Sequence, residues 1–178
     1  MDRELTGRIC RLRQYRSDDA EAVRALADDY AVARWMTRAF PHPYRLEDAR
    51  EWIALSLSRA RGPHFAVEVD GALAGGIGFQ PLAGERSGCA LFGYWLGRKY
   101  WGRGVGTDAA TTLADAALAS GIVYRLEATV FAENVASARV LEKSGFGFEA
   151  TMRGYYLDRD DRVCDGLLYA RVEEPASR

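Results

Sequence analysis

Three cysteines, Cys10, Cys89 and Cys164, are all this chain has, and no two of them form a C-x-x-C pair. That spacing argues against a disulfide framework and against a structural zinc site. Two histidines, His42 and His64, are too few for a His-rich metal centre, so no metal is expected. No window approaches the ~18 uninterrupted apolar residues of a membrane span. Met1-Asp2-Arg3-Glu4 lacks the apolar core of a secretion signal. The expected location is cytoplasmic, with no membrane partner. A formal net charge of −1 leaves no global field to attract nucleic acid. Lysine is nearly absent: Lys99 and Lys143 are the only two among 24 basic residues, a bias read first as genome composition. Repeats and low-complexity tracts are missing as well. The remaining composition is that of an ordinary globular protein. Its 178 residues suit one domain spanning the chain, with a core at about residues 8–172 and frayed ends.

The patterns that are present read as alternating strands and helices. Residues Arg8 to Tyr15 alternate as a first strand. Asp18 and Glu21 fit a capping box for a helix that carries Ala22, Val23, Leu26 and Ala27 and ends near Tyr30. A short helical piece, Ala31 to Thr37, follows. Pro41-His42-Pro43 forces an extended loop. Apolar residues at helical spacing predict a helix over Leu46 to Arg61. Phe65, Val67 and Val69 alternate, Asp70-Gly71 is a hairpin signal, and Ala72 to Gln80 returns. The apolar run Cys89 to Leu96 suits a central strand buried on both faces. Helices are expected over 105–120 and 134–144, the second capped by Asn134. A strand at Arg125 to Phe131 lies between them, and a hairpin of Phe148 to Leu157 and Val163 to Val172 closes the chain. The order β-α-α-α-β-β-β-α-β-α-β-β predicts a mixed α/β sheet with helices on both faces.

The chain turns on Tyr100-Trp101-Gly102-Arg103-Gly104-Val105-Gly106-Thr107, a glycine-rich loop between a strand end and a helix start. Such a loop, with the unpaired N–H groups of a helix N-terminus, makes a phosphate cradle. A nucleotide P-loop needs Gly-Lys before Ser or Thr, and here Thr107 follows Gly106 directly. A dinucleotide fingerprint needs G-x-G-x-x-G near the start of a long doubly wound domain, whereas this loop reads G-x-G-x-G with too little chain after it. That leaves a nicotinamide-dependent enzyme as the weakest reading. A plain tight turn would need one glycine, not three. A coenzyme A site is the third reading.

At this loop the chain resembles the GNAT superfamily of N-acetyltransferases. Trp101-Gly102-Arg103-Gly104-Val105-Gly106 matches its pyrophosphate loop from the third position onward. Tyr94-Trp95-Leu96, Thr107-Asp108-Ala109 and the block from Asn134 to Phe146 resemble the RimJ/RimL-type branch, the ribosomal-protein N-acetyltransferase-like one. So do Pro41-His42-Pro43-Tyr44 and Asp165. The likeness covers about residues 8 to 171. It implies a mostly antiparallel sheet of about seven strands, acetyl-CoA as donor, and a primary amine as acceptor. The acceptor would be a protein N-terminus or a small-molecule amine. Homodimers are common in that family, although no exposed apolar stripe here demands one.

The resemblance also assigns residues. Arg103, Gly104, Val105, Gly106 and Thr107 would hold the pyrophosphate through N–H groups, with the Thr107 hydroxyl added. Trp95 and Leu96 would pair with the pantetheine arm through their backbone, and an N–H there would face the oxyanion. Asn134 would both cap its helix and contact the ligand. Ser137, one helical turn on, would serve as the general acid. Two positions depart from the pattern. Leu141 stands where many members have an acidic Tyr, and Leu91 stands where this branch often has Glu. The base is therefore open. Glu127 is one candidate, with burial against an arginine as its bland alternative. Tyr94 either orders a water or packs in the core, and Asp165 and Glu149 are similarly open. Trp35, Trp52, Tyr44 and the Phe40 to Tyr44 loop are candidates for the acceptor pocket or simply core. Arg159 to Arg162 reads as a solvated turn. Leu91 and Leu141 motivate a rival reading, a CoA-binding module that has lost catalysis.

Overall fold

The computed structural model describes residues 3–173. Its elements run β1 (Glu4–Thr6), β2 (Arg11–Arg13), α1 (Ala20–Ala27), α2 (Tyr30–Ala33), α3 (Leu46–Ser58), β3 (His64–Val69), β4 (Ala72–Pro81) and β5 (Cys89–Leu96). They continue α4 (Val105–Ala119), β6 (Arg125–Phe131), α5 (Val135–Lys143), β7 (Gly147–Leu157) and β8 (Val163–Val172). The strands form one sheet in the order β1-β2-β3-β4-β5-β6-β8-β7. Every neighbouring pair is antiparallel except β5 and β6.

The sheet has eight strands, one more than the alternation predicts. The strand expected over Arg8 to Tyr15 is shortened to β2, and a further strand, β1, precedes it and pairs with it as a hairpin. Asp108 of α4 bends the chain there by accepting the N–H groups of Arg8, Ile9 and Cys10 at 2.9, 2.8 and 2.9 Å. Other boundaries shift for local reasons. Asp19, not Asp18, turns its carboxylate back on the Arg16 N–H at 2.7 Å. Helix α1 stops at Ala27, and Asp29 caps the short α2 by accepting from the Ala31 N–H at 2.9 Å. Helix α3 ends at Ser58, where Arg59 turns into the left-handed region at φ 54°.

Strand alternation sends side chains to two cores. Leu12, Phe65, Val67, Phe92 and Leu126 pack with Leu113 of α4 and Leu141 of α5 on one face. Tyr15, Ala66, Leu73 and Trp95 pack with Val23 of α1 and Ile53 of α3 on the other. A buried ion network crosses the second region. The Arg13 guanidinium bonds both Asp19 oxygens at 2.8 Å and also donates to Glu68. All three side chains are less than a tenth exposed.

Candidate active site

Strands β5 and β6 pair over only three positions, Cys89 with Arg125, Ala90 with Leu126 and Leu91 with Glu127. Beyond them the strands part. β5 stays bonded to β4 through Leu96, and β6 stays bonded to β8 through Phe131. Each therefore presents an unmatched edge to the gap, where extended backbone groups can take a ligand's amides.

The glycine loop stands at the end of β5. Gly102 and Gly104 lie at φ 70° and 79°, a region that a side chain disfavours. Gly104 is the N-cap of α4, and its carbonyl already accepts from the Asp108 N–H at 3.0 Å. Gly106 is buried in the first turn of α4, where an added Cβ would make ordinary contact with Val140 at 3.4 Å and Leu96 at 3.5 Å. Val105 is buried and Arg103 exposed. Loop and helix start are thus a bare backbone N-terminus, which suits an anionic phosphate group.

Trp101, the departure within the loop, has a structural role of its own. Its indole N–H donates to the Leu96 carbonyl at 2.8 Å and ties the loop to the strand end. That bond engages one of the Leu96 carbonyl's lone pairs, a constraint on the pantetheine pairing assigned to Leu96. The Trp95 ring is buried and meets Phe40 edge-on at 5.8 Å.

Across the gap, Asn134 caps α5, with its side-chain oxygen accepting from the Ser137 N–H at 3.2 Å. The Ser137 hydroxyl lies 2.8 Å from that of Tyr94 on β5. Burial pushes the Tyr94 phenol up to about 12, against the Ser137 bond, so it stays protonated at neutral pH. Leu141 is fully buried core. Leu91 is 44% exposed and stands with exposed Gly93 on the face of the sheet that bears Trp95.

Glu127 is held in two ion pairs, with Arg86 and with Arg125, the latter at 2.7 Å. Burial pushes its carboxylate up, but the bonds from Arg125 and Arg86 outweigh it and the net shift is downward. A carboxylate so stabilised is a poor proton acceptor. Glu149 takes the other face of Arg125, and Asp165 accepts the Gly154 N–H at 2.8 Å, so both have structural partners.

The aromatic candidates separate. Trp52 and Tyr44 belong to the second core. Trp35 meets Phe131 at 6.1 Å and, with Glu133 and Asp160, lines a cavity of about 30 Å³ at the end of β6, next to Asn134. The Arg159 to Arg162 turn is not simply solvated. Arg159 donates to the carbonyls of Ala33 and Phe40 at 2.8 and 2.6 Å, and so fixes the closing hairpin to the α2–α3 loop. A larger open groove, about 410 Å³, lies between α1 and the β3–β4 turn, on the opposite side of the sheet from α4. Its buried charges, Arg13 and Asp19, already satisfy each other.

Three relationships here were not legible from motif spacing: Asp108 with the β1–β2 turn, Trp101 with Leu96, and Tyr94 with Ser137. Of these only Asp108 sits at a position that hints at its use, the acid-favouring first turn of a helix.

Residues 10–147 match the family model described as the acetyltransferase (GNAT) domain. A curated relative, the uncharacterized N-acetyltransferase p20 of Bacillus licheniformis, is 30% identical over 148 residues, 81% of this chain and 82% of that protein. Among solved structures, Mycobacterium smegmatis RimJ in complex with CoA-disulfide is 26% identical, with a TM-score of 0.82 over 95% of this chain and 85% of that one. The microcin C7 self-immunity acetyltransferase MccE, solved with acetyl-CoA and AMP, is 19% identical with a TM-score of 0.82 over 93% of each chain; at that identity it shows the fold alone.

Proposed function

The chain belongs to the GNAT acetyltransferase family, and on that premise we propose that it moves the acetyl group of acetyl-CoA to a primary amine by direct attack in a ternary complex. The acceptor is a protein N-terminus or a small-molecule amine. The observation that carries this reading is the bare N-terminus of α4 at the end of β5, opposite the Asn134–Ser137 turn across an unpaired strand gap. The Arg103 to Thr107 backbone takes the pyrophosphate, and the parted edges take the pantetheine amides. Backbone N–H near Trp95 meets the oxyanion.

In the reaction the amine nitrogen bonds the acetyl carbon and the carbon–sulfur bond breaks. The amine loses a proton and the sulfur gains one. Ser137 stands on the donor side of that exchange. On the acceptor side, the paired state of Glu127 supports solvent, entering over exposed Leu91 and Gly93, as the proton acceptor.

The test is incubation of the purified chain with acetyl-CoA and a panel of amines and N-terminal peptides. The expected result is free CoA above the hydrolysis background with the mass of one acetyl group added to an amine. A second reading, a CoA-binding module without catalysis, draws on Leu91 and Leu141 at the two departing positions. Saturable CoA binding with no turnover on the whole panel would favour it. Binding of NADH in preference to CoA would point instead to nicotinamide chemistry.

A further inference from the structure

Tyr94 and Ser137 come from different elements, β5 and the first turn of α5, yet their hydroxyls meet at 2.8 Å beside the strand gap. The next contact of the phenol oxygen is the Ser137 carbonyl at 3.5 Å, a far poorer partner. Two hydroxyls that share one hydrogen bond hold two protons: one lies between them and the other is free to point outward. A phenol is a much stronger acid than an aliphatic alcohol. The favoured arrangement has Tyr94 donating and Ser137 accepting, with the Ser137 proton turned to the gap.

That arrangement bears on a weakness of serine as an acid. A thiol ionises at about 8.5, far below an alcohol. A serine that gave its proton to a thiolate without replacing it would be left as an alkoxide. A phenol behind it removes that requirement. Tyr94 is protonated in the resting protein, and because burial also makes it a weaker acid than the thiol, the transfer is completed only as water reprotonates the phenolate. Leu141 on α5 is sealed in the core and brings no hydroxyl to the gap; the phenol there comes from β5.

Resting on the acetyl-transfer reading above, we propose that Tyr94 supplies, through Ser137, the proton that the departing CoA sulfur receives. As the carbon–sulfur bond breaks, the Ser137 proton passes to sulfur and the Tyr94 proton passes to Ser137. The phenolate then takes a proton from water, which receives the one that the amine loses. Tyr94 acts through Ser137 and is a positioning residue of the relay; Ser137 touches the substrate.

The experiment uses the purified chain, acetyl-CoA and the best amine from the panel. Tyr94→Phe keeps the ring and removes one oxygen. Tyr94→Phe and Ser137→Ala should each lower kcat by roughly tenfold or more. The double variant should be no worse than the more damaging single, because both remove one relay. CoA affinity by calorimetry should change less than about twofold throughout. Independently of any variant, the rate in mixed light and heavy water should curve with deuterium content, as two protons moving together require. An unchanged kcat in Tyr94→Phe, losses that multiply in the double variant, or a loss of CoA affinity matching the loss of kcat overturns the relay. A linear dependence on deuterium does so even if Tyr94→Phe fails to fold. Wild-type protein that binds CoA but acetylates no amine brings down the acetyl-transfer reading itself, and the relay with it.

Discussion

Asp108, one turn into α4, holds the Cys10 N–H at 2.9 Å, and through it the turn that separates β1 from β2. Arg8 and Ile9 donate to the same carboxylate. Ile9 in turn comes within 3.2 Å of where a side chain on Gly104 would begin. The N-terminal hairpin is thereby laid against the glycine loop.

Asp108→Ala should therefore loosen the hairpin and the loop together. The stability loss should be about 1–3 kcal/mol, toward the low end because the exposed Arg8 and Ile9 amides can turn to water. Chemical denaturation measures the loss, and hydrogen exchange at residues 8–10 should speed up selectively. Stability unchanged by the substitution would show that the turn forms without the carboxylate.

Trp101 offers a cleaner probe of the loop alone. Trp101→Phe keeps an aromatic ring and deletes the bond to Leu96. A neutral hydrogen bond is worth about 0.5–1.5 kcal/mol. The bond is already made in the free protein, so global stability should fall by that amount or less, and calorimetry should find CoA bound at most about tenfold more weakly as the loop loosens.

The Arg13 network makes a prediction about pH. Its bond holds Glu68 below the usual carboxylate range, against burial. Burial pushes Asp19 up, yet the Arg13 and Arg16 bonds outweigh it and the shift is again downward. Both carboxylates thus contribute stability that is complete above their unfolded values of about 4 and is lost as the pH falls through the lower folded ones. Arg13→Met leaves buried Asp19 without its cation, while Glu68 keeps Arg11 at 2.7 Å, so the cost at pH 7 should lie toward the low end of about 3–5 kcal/mol. Denaturation at successively lower pH should show that deficit shrinking as the stranded Asp19 takes up a proton. A deficit that grows on acidification would contradict the assignment.

Glu127 and the proton acceptor can be tested together. Glu127→Gln should change kcat/KM by less than about threefold, since a surface-side ion pair with Arg125 and Arg86 contributes little and Arg125 keeps Glu149. With solvent as acceptor, log kcat/KM should climb with a slope of about one up to the acceptor amine's own pKa, about 8 for an N-terminus and about 10 for an alkylamine, because the free amine is the reacting form. A plateau reached near pH 7, abolished in Glu127→Gln, would make Glu127 the base after all.

Much of this fold is written locally. Asp70-Gly71 turns the β3–β4 hairpin, Asn134 caps α5, and three glycines open the loop, each through neighbours a few residues away. The central strand, both flanking helices and the closing hairpin follow from apolar spacing alone. What stayed hidden depends on partners far along the chain. Asp108 reaches back 100 residues to Arg8, Arg13 reaches 55 to Glu68, and Tyr94 reaches 43 to Ser137. No periodicity records such a pairing. Glu127 shows the converse: its mid-strand position was legible, but its two arginines, one of them 41 residues upstream, decide its chemistry.

The short ladder between β5 and β6 has a thermodynamic corollary. A sheet that stops hydrogen-bonding after three positions is under-built at its centre, and on the proposed reading a donor lying in the gap would serve as further rungs. Binding would then be part of folding: the melting temperature should rise with CoA concentration, by about 2.7 kcal/mol of added stability at a hundredfold excess over the dissociation constant. The slowest-exchanging amides should spread from β4 and β8 into the facing edges of β5 and β6.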